Sequence, residues 1–252
     1  MRIFAISDIH IDFKENVRWL ESLSNADYVD DALILAGDIS DSTPRTAKCF
    51  EQLCSKFKFV FYVPGNHDIW VRRESQTDSI NKFSALLALA HEHGVITEQR
   101  SFHDIAIIPL FSWYDLSFGE MSEALVAKWM DFTHCKWPEA LEAPSAQNRF
   151  FLQKNEIRKQ PDSKTVITFS HFLPRIDLMP SYIPERFQDI YPVLGSPLLD
   201  QQIRDLDSNI HVYGHSHVNC RTTIDNIEYI NNAFGYPSEA RITAKRLLEI
   251  TY

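Results

Sequence analysis

Near its start the chain reads Ile3-Phe4-Ala5-Ile6-Ser7-Asp8-Ile9-His10, four apolar residues followed at once by two metal-competent side chains. The pattern returns in Leu33-Ile34-Leu35-Ala36-Gly37-Asp38 and in Val60-Phe61-Tyr62-Val63-Pro64-Gly65-Asn66-His67-Asp68. It returns again in Phe169-Ser170-His171 and in Val212-Tyr213-Gly214-His215-Ser216-His217. Short β-branched and aromatic runs bounded by turn residues read as buried strands. In open α/β sheets ligands gather beyond the carboxyl ends of strands, so side chains spread along the sequence can share one crevice. The chain has only seven glycines, and Gly37, Gly65 and Gly214 each precede one of these groups, where backbone must turn sharply or approach closely.

Working outward, further strands are expected at Ala32–Ala36, Phe59–Val63, Ile105–Leu110, Thr165–Phe169 and Ile210–Tyr213, with a late hairpin turning at Asp225-Asn226 and a last strand over Leu247–Thr251. Between them Ile80, Phe83, Leu86, Leu87 and Ala90 keep helical spacing up to Gly94, and Thr43-Pro44 marks another helix start. Strands alternating with helices give an α/β fold. No repeat or Gly/Ser-rich linker divides the sequence, so residues 1–252 are expected to form one domain. Residues 111–160, rich in aromatics, and 172–197, interrupted by five prolines, resist assignment and stand as lid or substrate-specificity segments.

The composition, 44% hydrophobic and 23% charged over 252 residues, excludes a disordered or fibrous chain. Thirty-four acidic residues against twenty-five basic ones give a net charge of -9, so no general basic field exists for long nucleic acid or an anionic membrane. The four cysteines form no CxxC pair, and Asp8 comes too early for a secretory leader. A cytoplasmic protein with reduced thiols is expected, and no apolar run nears the ~20 residues of a membrane helix.

Asp8, His10, Asp38, Asn66, His171, His215 and His217 are too many ligands for one zinc ion, which takes four. Two ions sharing a carboxylate, with Asp38 as the bridge, fit the count. Mixed imidazole and carboxylate suits zinc, manganese or iron. Such ions would make the site locally positive and able to hold phosphate despite the charge of the whole chain.

Asp8-Ile9-His10, Gly37-Asp38, Gly65-Asn66-His67-Asp68, Ser170-His171 and Gly214-His215-Ser216-His217 together resemble the five ordered blocks of the calcineurin-like metallophosphoesterases. The resemblance implies a two-sheet β-sandwich flanked by helices, the αββα arrangement. It implies one ion on Asp8, His10, Asp38 and His217, and a second on Asp38, Asn66, His171 and His215. It makes His67 the general acid and Asp68 the carboxylate that orients it.

Outside these blocks, Arg72, Arg73, Arg175 and Arg186 are candidate phosphate clamps, because a guanidinium pairs bidentately with phosphate oxygens. Trp113 and Tyr114 are candidate substrate contacts. His91 and His93 suit a helix C-terminus, while His103, His134 and His211 and the four cysteines read as structural. The expected activity is metal-dependent hydrolysis of a small phosphorylated substrate, mono- or diester. The alternatives are a nuclease or nucleotide pyrophosphatase, and a non-catalytic interaction scaffold on the same fold.

Overall fold

The computed structural model describes residues 1–74, 77–155 and 163–251. In chain order, β1 (Ile3–Ile6), α1 (Lys14–Ser22), β2 (Ala32–Leu35), α2 (Thr43–Lys56), β3 (Phe59–Tyr62) and α3 (Ser79–Glu92) form the first half. Then come β4 (Arg100–Phe102), β5 (Ile105–Pro109), α4 (Glu123–Lys128), α5 (Asp131–His134), α6 (Pro144–Lys154) and β6 (Thr165–Phe169). The chain closes with α7 (Pro197–Asp205), β7 (Ile210–Tyr213), β8 (Cys220–Ile224), β9 (Ile227–Asn231) and β10 (Leu248–Ile250).

Local chemistry sets the element ends. The Asp78 side chain accepts from Asn81 N at 2.7 Å to start α3. Gly94, at φ +76°, ends it, while Val95 N reaches back to Ala90 O at 2.8 Å. Pro44 and Pro197 occupy first turns, where a missing N–H has no consequence. Asp225 and Asn226 both adopt positive φ, the geometry of a tight turn that matches strand twist, and join β8 to β9.

The strands form two sheets, ordered β10-β1-β2-β3 and β4-β5-β6-β7-β9-β8. β1, β2 and β3 run parallel, as do β5, β6, β7 and β9, while β10, β4 and β8 pair antiparallel at the margins. The sheets face each other through Ile3, Ala5, Ile34 and Phe61 on one side and Ile107, Ile167, Phe169 and Val212 on the other. The outer face of the first sheet is covered by Leu20, Phe50 and Leu53, and that of the second by Leu199, Ile203 and Leu206. Both faces of the central strands are therefore buried, which is why β1, β2, β3 and β5 read as apolar runs. The two-sheet, helix-flanked architecture is the one the sequence resemblance implies.

The two unassigned stretches acquire structure. Residues 111–155 hold α4 to α6, and 156–160 lie outside the described residues. In 172–197 the prolines permit only 3₁₀ turns, at Ile176–Leu178 and Glu185–Val193. The sequence reading missed β4, whose Arg100-Ser101-Phe102 has no apolar run to mark it.

Candidate metal centre

The loops after β1, β2 and β7 carry unusual backbone. Asp8, His10, Asp38, His215 and His217 all have φ between 37° and 67°, a left-handed conformation costing about 1–3 kcal/mol per non-glycine residue. It persists because the loops brace one another: Asp8 N donates to Gly37 O at 2.9 Å, His10 N to Asp38 O at 3.1 Å and Ile11 N to Ile39 O at 2.9 Å. Asp68 locks the same place from below. Its buried carboxylate accepts from the backbone N–H groups of Asp38, Ile39, Ser40 and Gly65 at 2.8–3.0 Å. The glycines make room: a Cβ on Gly37 would lie 2.5 Å from His171 Nδ1, one on Gly214 2.7 Å from Asp8 Oδ2, and one on Gly65 would clash with Asp38 Oδ1.

The seven candidate ligands converge there, and all but His217 are buried. His171 Nδ1 meets Ala36 O at 2.9 Å and His215 Nε2 meets Val193 O at 3.0 Å, so both of these nitrogens carry the proton. The opposite nitrogens, His171 Nε2 and His215 Nδ1, then present lone pairs to each other at 3.2 Å, with Asn66 Oδ1 3.0 Å from His171 Nε2. Asp38 Oδ1 lies 3.5 Å from the same nitrogen. These acceptors, crowded together with only the His67 backbone N–H donating to Asp38 Oδ1 at 3.0 Å, could hold a cation. A second cluster joins Asp8, His10 and His217: His217 Nε2 is 3.2 Å from both His10 Nε2 and Asp8 Oδ1, while its Nδ1 is held by Glu239 at 2.7 Å. Asp38 Oδ2 faces this side, 3.9 Å from His10 Nε2. The donor set fits divalent cations on either side of Asp38.

The electrostatics agree with a cation-hungry site. Burial, and then the neighbouring Asp8 and Asp68 charges, push Asp38 well above the ordinary carboxylate range. Burial with His171 close by holds His215 down to about 3, and burial with His217 depresses His10 strongly. At His217 burial opposes the charged ring, but Asp8 and Glu239 prevail and raise it to about 9.

His67 lines a cavity of about 310 Å³, together with Asp38, Asn66, His215 and His217 of this cluster. Its ring stacks on Trp70 at 3.7 Å between centroids, its Nε2 is 3.3 Å from the Tyr236 hydroxyl, and burial followed by the His10 ring holds its pKa well below 6.5. The cavity wall includes Trp70, Trp129, Met130, Ile190 and Tyr236, with Lys128 as its cation. Asp131, buried on α5, ties the wall to the centre by accepting from Asn66 Nδ2 at 2.9 Å, Trp70 Nε1 at 2.6 Å and Trp129 Nε1 at 2.8 Å. The bond to Asn66 turns its amide oxygen toward His171.

Several expectations require correction. Asp68 does not orient His67: its oxygens serve the four main-chain donors. Trp113 and Tyr114 are each 1% exposed and pack with Phe151 and Phe172, because the chain after β5 dives into the aromatic core. Arg72 and Arg73 both pair with Asp41, and Arg175 pairs with Asp177 and Asp200, so none lines the cavity. Arg186, over the Phe187 ring, does not line this cavity but does line a neighbouring one. Tyr236, Glu239, Asp131, Lys128 and Trp129 were missed. Gly235, at φ +69°, precedes Tyr236 just as other glycines precede the ligands, and that spacing was the available signal. His211, bonded to Thr168 and Ser170 within the second sheet, is structural as read.

Comparisons with known proteins agree with this geometry. The profile described as calcineurin-like phosphoesterase matches residues 1–219. An [acyl-carrier-protein] phosphodiesterase, PptH of Mycobacterium tuberculosis, is 26% identical over 261 residues, covering 95% of this chain and 79% of that protein. The crystal structure of the M. tuberculosis phosphopantetheinyl hydrolase superposes with a TM-score of 0.78 at 24% identity, covering 99% of this chain and 95% of that one. The TT1561 protein of Thermus thermophilus shares the fold at a TM-score of 0.50 and 15% identity, over 99% of this chain and 98% of its own. Among the described residues no helix is long and apolar enough to cross a membrane.

Proposed function

This chain belongs to the calcineurin-like phosphoesterase family, metal-dependent hydrolases of phosphate esters, and from that premise we propose that it is a phosphodiesterase with two divalent ions acting on a protein-borne diester. One ion would rest on Asp8, His10, Asp38 and His217, the other on Asp38, Asn66, His171 and His215; manganese, iron and zinc all suit these donors. Bound there, the ions supply Lewis acidity and an activated water for in-line attack at phosphorus. His67 faces the space where a leaving oxygen would emerge. An anionic phosphate beside the ring favours its protonated form, from which it donates to that oxygen. Tyr236 and the Trp70 face hold the ring in place.

The observation that carries the diester reading is the wall of the cavity. Beyond the candidate ligands and His67, its described lining is Trp70, Trp129, Met130, Ile190 and Tyr236 with Ser216, Lys128, Asp131 and Glu239 and no arginine, and one lysine against two further carboxylates suits a singly charged diester better than a dianionic monoester. The name of the mycobacterial relative, which covers nearly the whole chain, supports a protein-borne diester over the small substrate expected from sequence.

Manganese-loaded protein is expected to prefer bis-p-nitrophenyl phosphate to p-nitrophenyl phosphate, and to release the prosthetic arm from a holo acyl carrier protein, as read by mass spectrometry. Asp38→Asn should abolish both activities. His67→Ala should keep its metal and lose roughly 10²–10⁴ in turnover. A monoester preference would overturn the diester reading.

A further inference from the structure

Beside the metal cavity lies a second one, of about 220 Å³, and the two share Lys128, Trp129 and Ile190 as a common wall. We infer that this second cavity is the subsite for the organic arm that stays on the phosphate during hydrolysis, an inference resting on the diesterase reading above. Its remaining lining comes from α4 and the 3₁₀ turn at Glu185–Val193, the two stretches in which the family blocks have no part. Leu125, Trp129, Phe187 and Ile190 make it mainly apolar, and Phe187 is 54% exposed, a large ring left in water until something covers it.

Trp129 makes the shared wall stiff. Its indole donates to Asp131, and its ring stands edge-on to His215 at 5.8 Å, so the ridge between the cavities keeps a fixed position relative to the metal ligands. A phosphate seated over the ligands can therefore direct one ester substituent over this ridge while the other points at His67. Together the two cavities reach the size class of sites for drug-sized ligands, about 300–1,000 Å³. The lining suits a flexible, largely uncharged chain of short apolar stretches joined by amides. Lys128 on the shared wall and Arg186 over Phe187 offer donors to its carbonyl groups.

Two diesters with the same leaving group test this: p-nitrophenyl 4′-phosphopantetheine, which carries an arm, and methyl p-nitrophenyl phosphate, which does not. Ala124, exposed on α4 at the edge of the second cavity, can be filled with Ala124→Trp. The variant is expected to raise KM for the armed diester about tenfold, the size expected when a few methylenes lose their burial, and to leave the methyl diester unchanged. Phe187→Ala, which removes wall rather than filling space, should raise the same KM severalfold. If both variants treat the two diesters alike, the arm does not bind here and the inference fails while the diesterase reading stands. If wild type cleaves p-nitrophenyl phosphate but neither diester, the diesterase reading fails and this inference with it.

Discussion

The Asp68 carboxylate faces four main-chain donors from two loops, in a place where no water can replace it. Asp68→Asn would set an NH₂ group among those donors, at an expected cost of about 2–4 kcal/mol in a urea melt. Turnover of metal-saturated Asp68→Asn should keep the wild-type pH profile; an altered profile with unchanged stability would restore Asp68 as the partner of His67. The contrast with the ligands shows what a sequence carries at this scale. Asp8, Asp38 and His215 could be read because each follows an apolar run, and Asp38 and His215 a glycine as well. Asp131 and Glu239 could not, since their partners Asn66 and His217 meet them only through tertiary packing, and Tyr236 had only the glycine before it as a sign. The arginines misled for the same reason: a sequence shows charges but not their counter-charges, and Asp41 had already taken two of them.

At the scale of elements, the strands were legible and the spaces between them were not. Strands such as β1, β2 and β5 announce themselves because burial on both faces favours an unbroken apolar run, and the polar Thr168 and His211 inside β6 and β7 satisfy each other; β4, at a sheet margin, has none of that pressure. The strand-end glycines give this scale its own test. Gly65 needs no left-handed backbone, so Gly65→Ala acts through its methyl group alone, which meets Asp38 Oδ1. We expect a loss of about 1–3 kcal/mol in stability and a larger relative loss of manganese affinity by calorimetry, because the displaced group is the carboxylate between the two clusters. Equal metal affinity in this variant would show that the loop yields without moving Asp38. The segments 111–155 and 172–197 stayed unread because their short helices and 3₁₀ turns are shaped by aromatic packing, which has no period.

Over the whole molecule, the candidate centre joins two sheets, since Asp8, His10, Asp38 and Asn66 follow strands of one and His171, His215 and His217 strands of the other. Metal loading should therefore raise the unfolding midpoint, and a chelator should reverse it. The size of that effect depends on pH. In chelator-treated protein His217, with its pKa raised from 6.5 to about 9, contributes stability fully below pH 6.5 that is lost as pH rises through 9. Metal needs the ring unprotonated, so the metal-induced increase in midpoint should grow from pH 6.5 to 9, as measured by scanning calorimetry; an increment that shrinks over this window would contradict the His217 assignment. The distance in sequence has a further consequence. His10 and His217, whose nitrogens lie 3.2 Å apart, are separated by 207 residues, so a growing chain emerges from the ribosome with its acidic strand ends long before their histidine partners exist. Neither cluster is complete until β7 has joined its sheet. Any ion held there would be chosen by the finished protein, not the nascent one, and would reflect the pool met after folding rather than during synthesis.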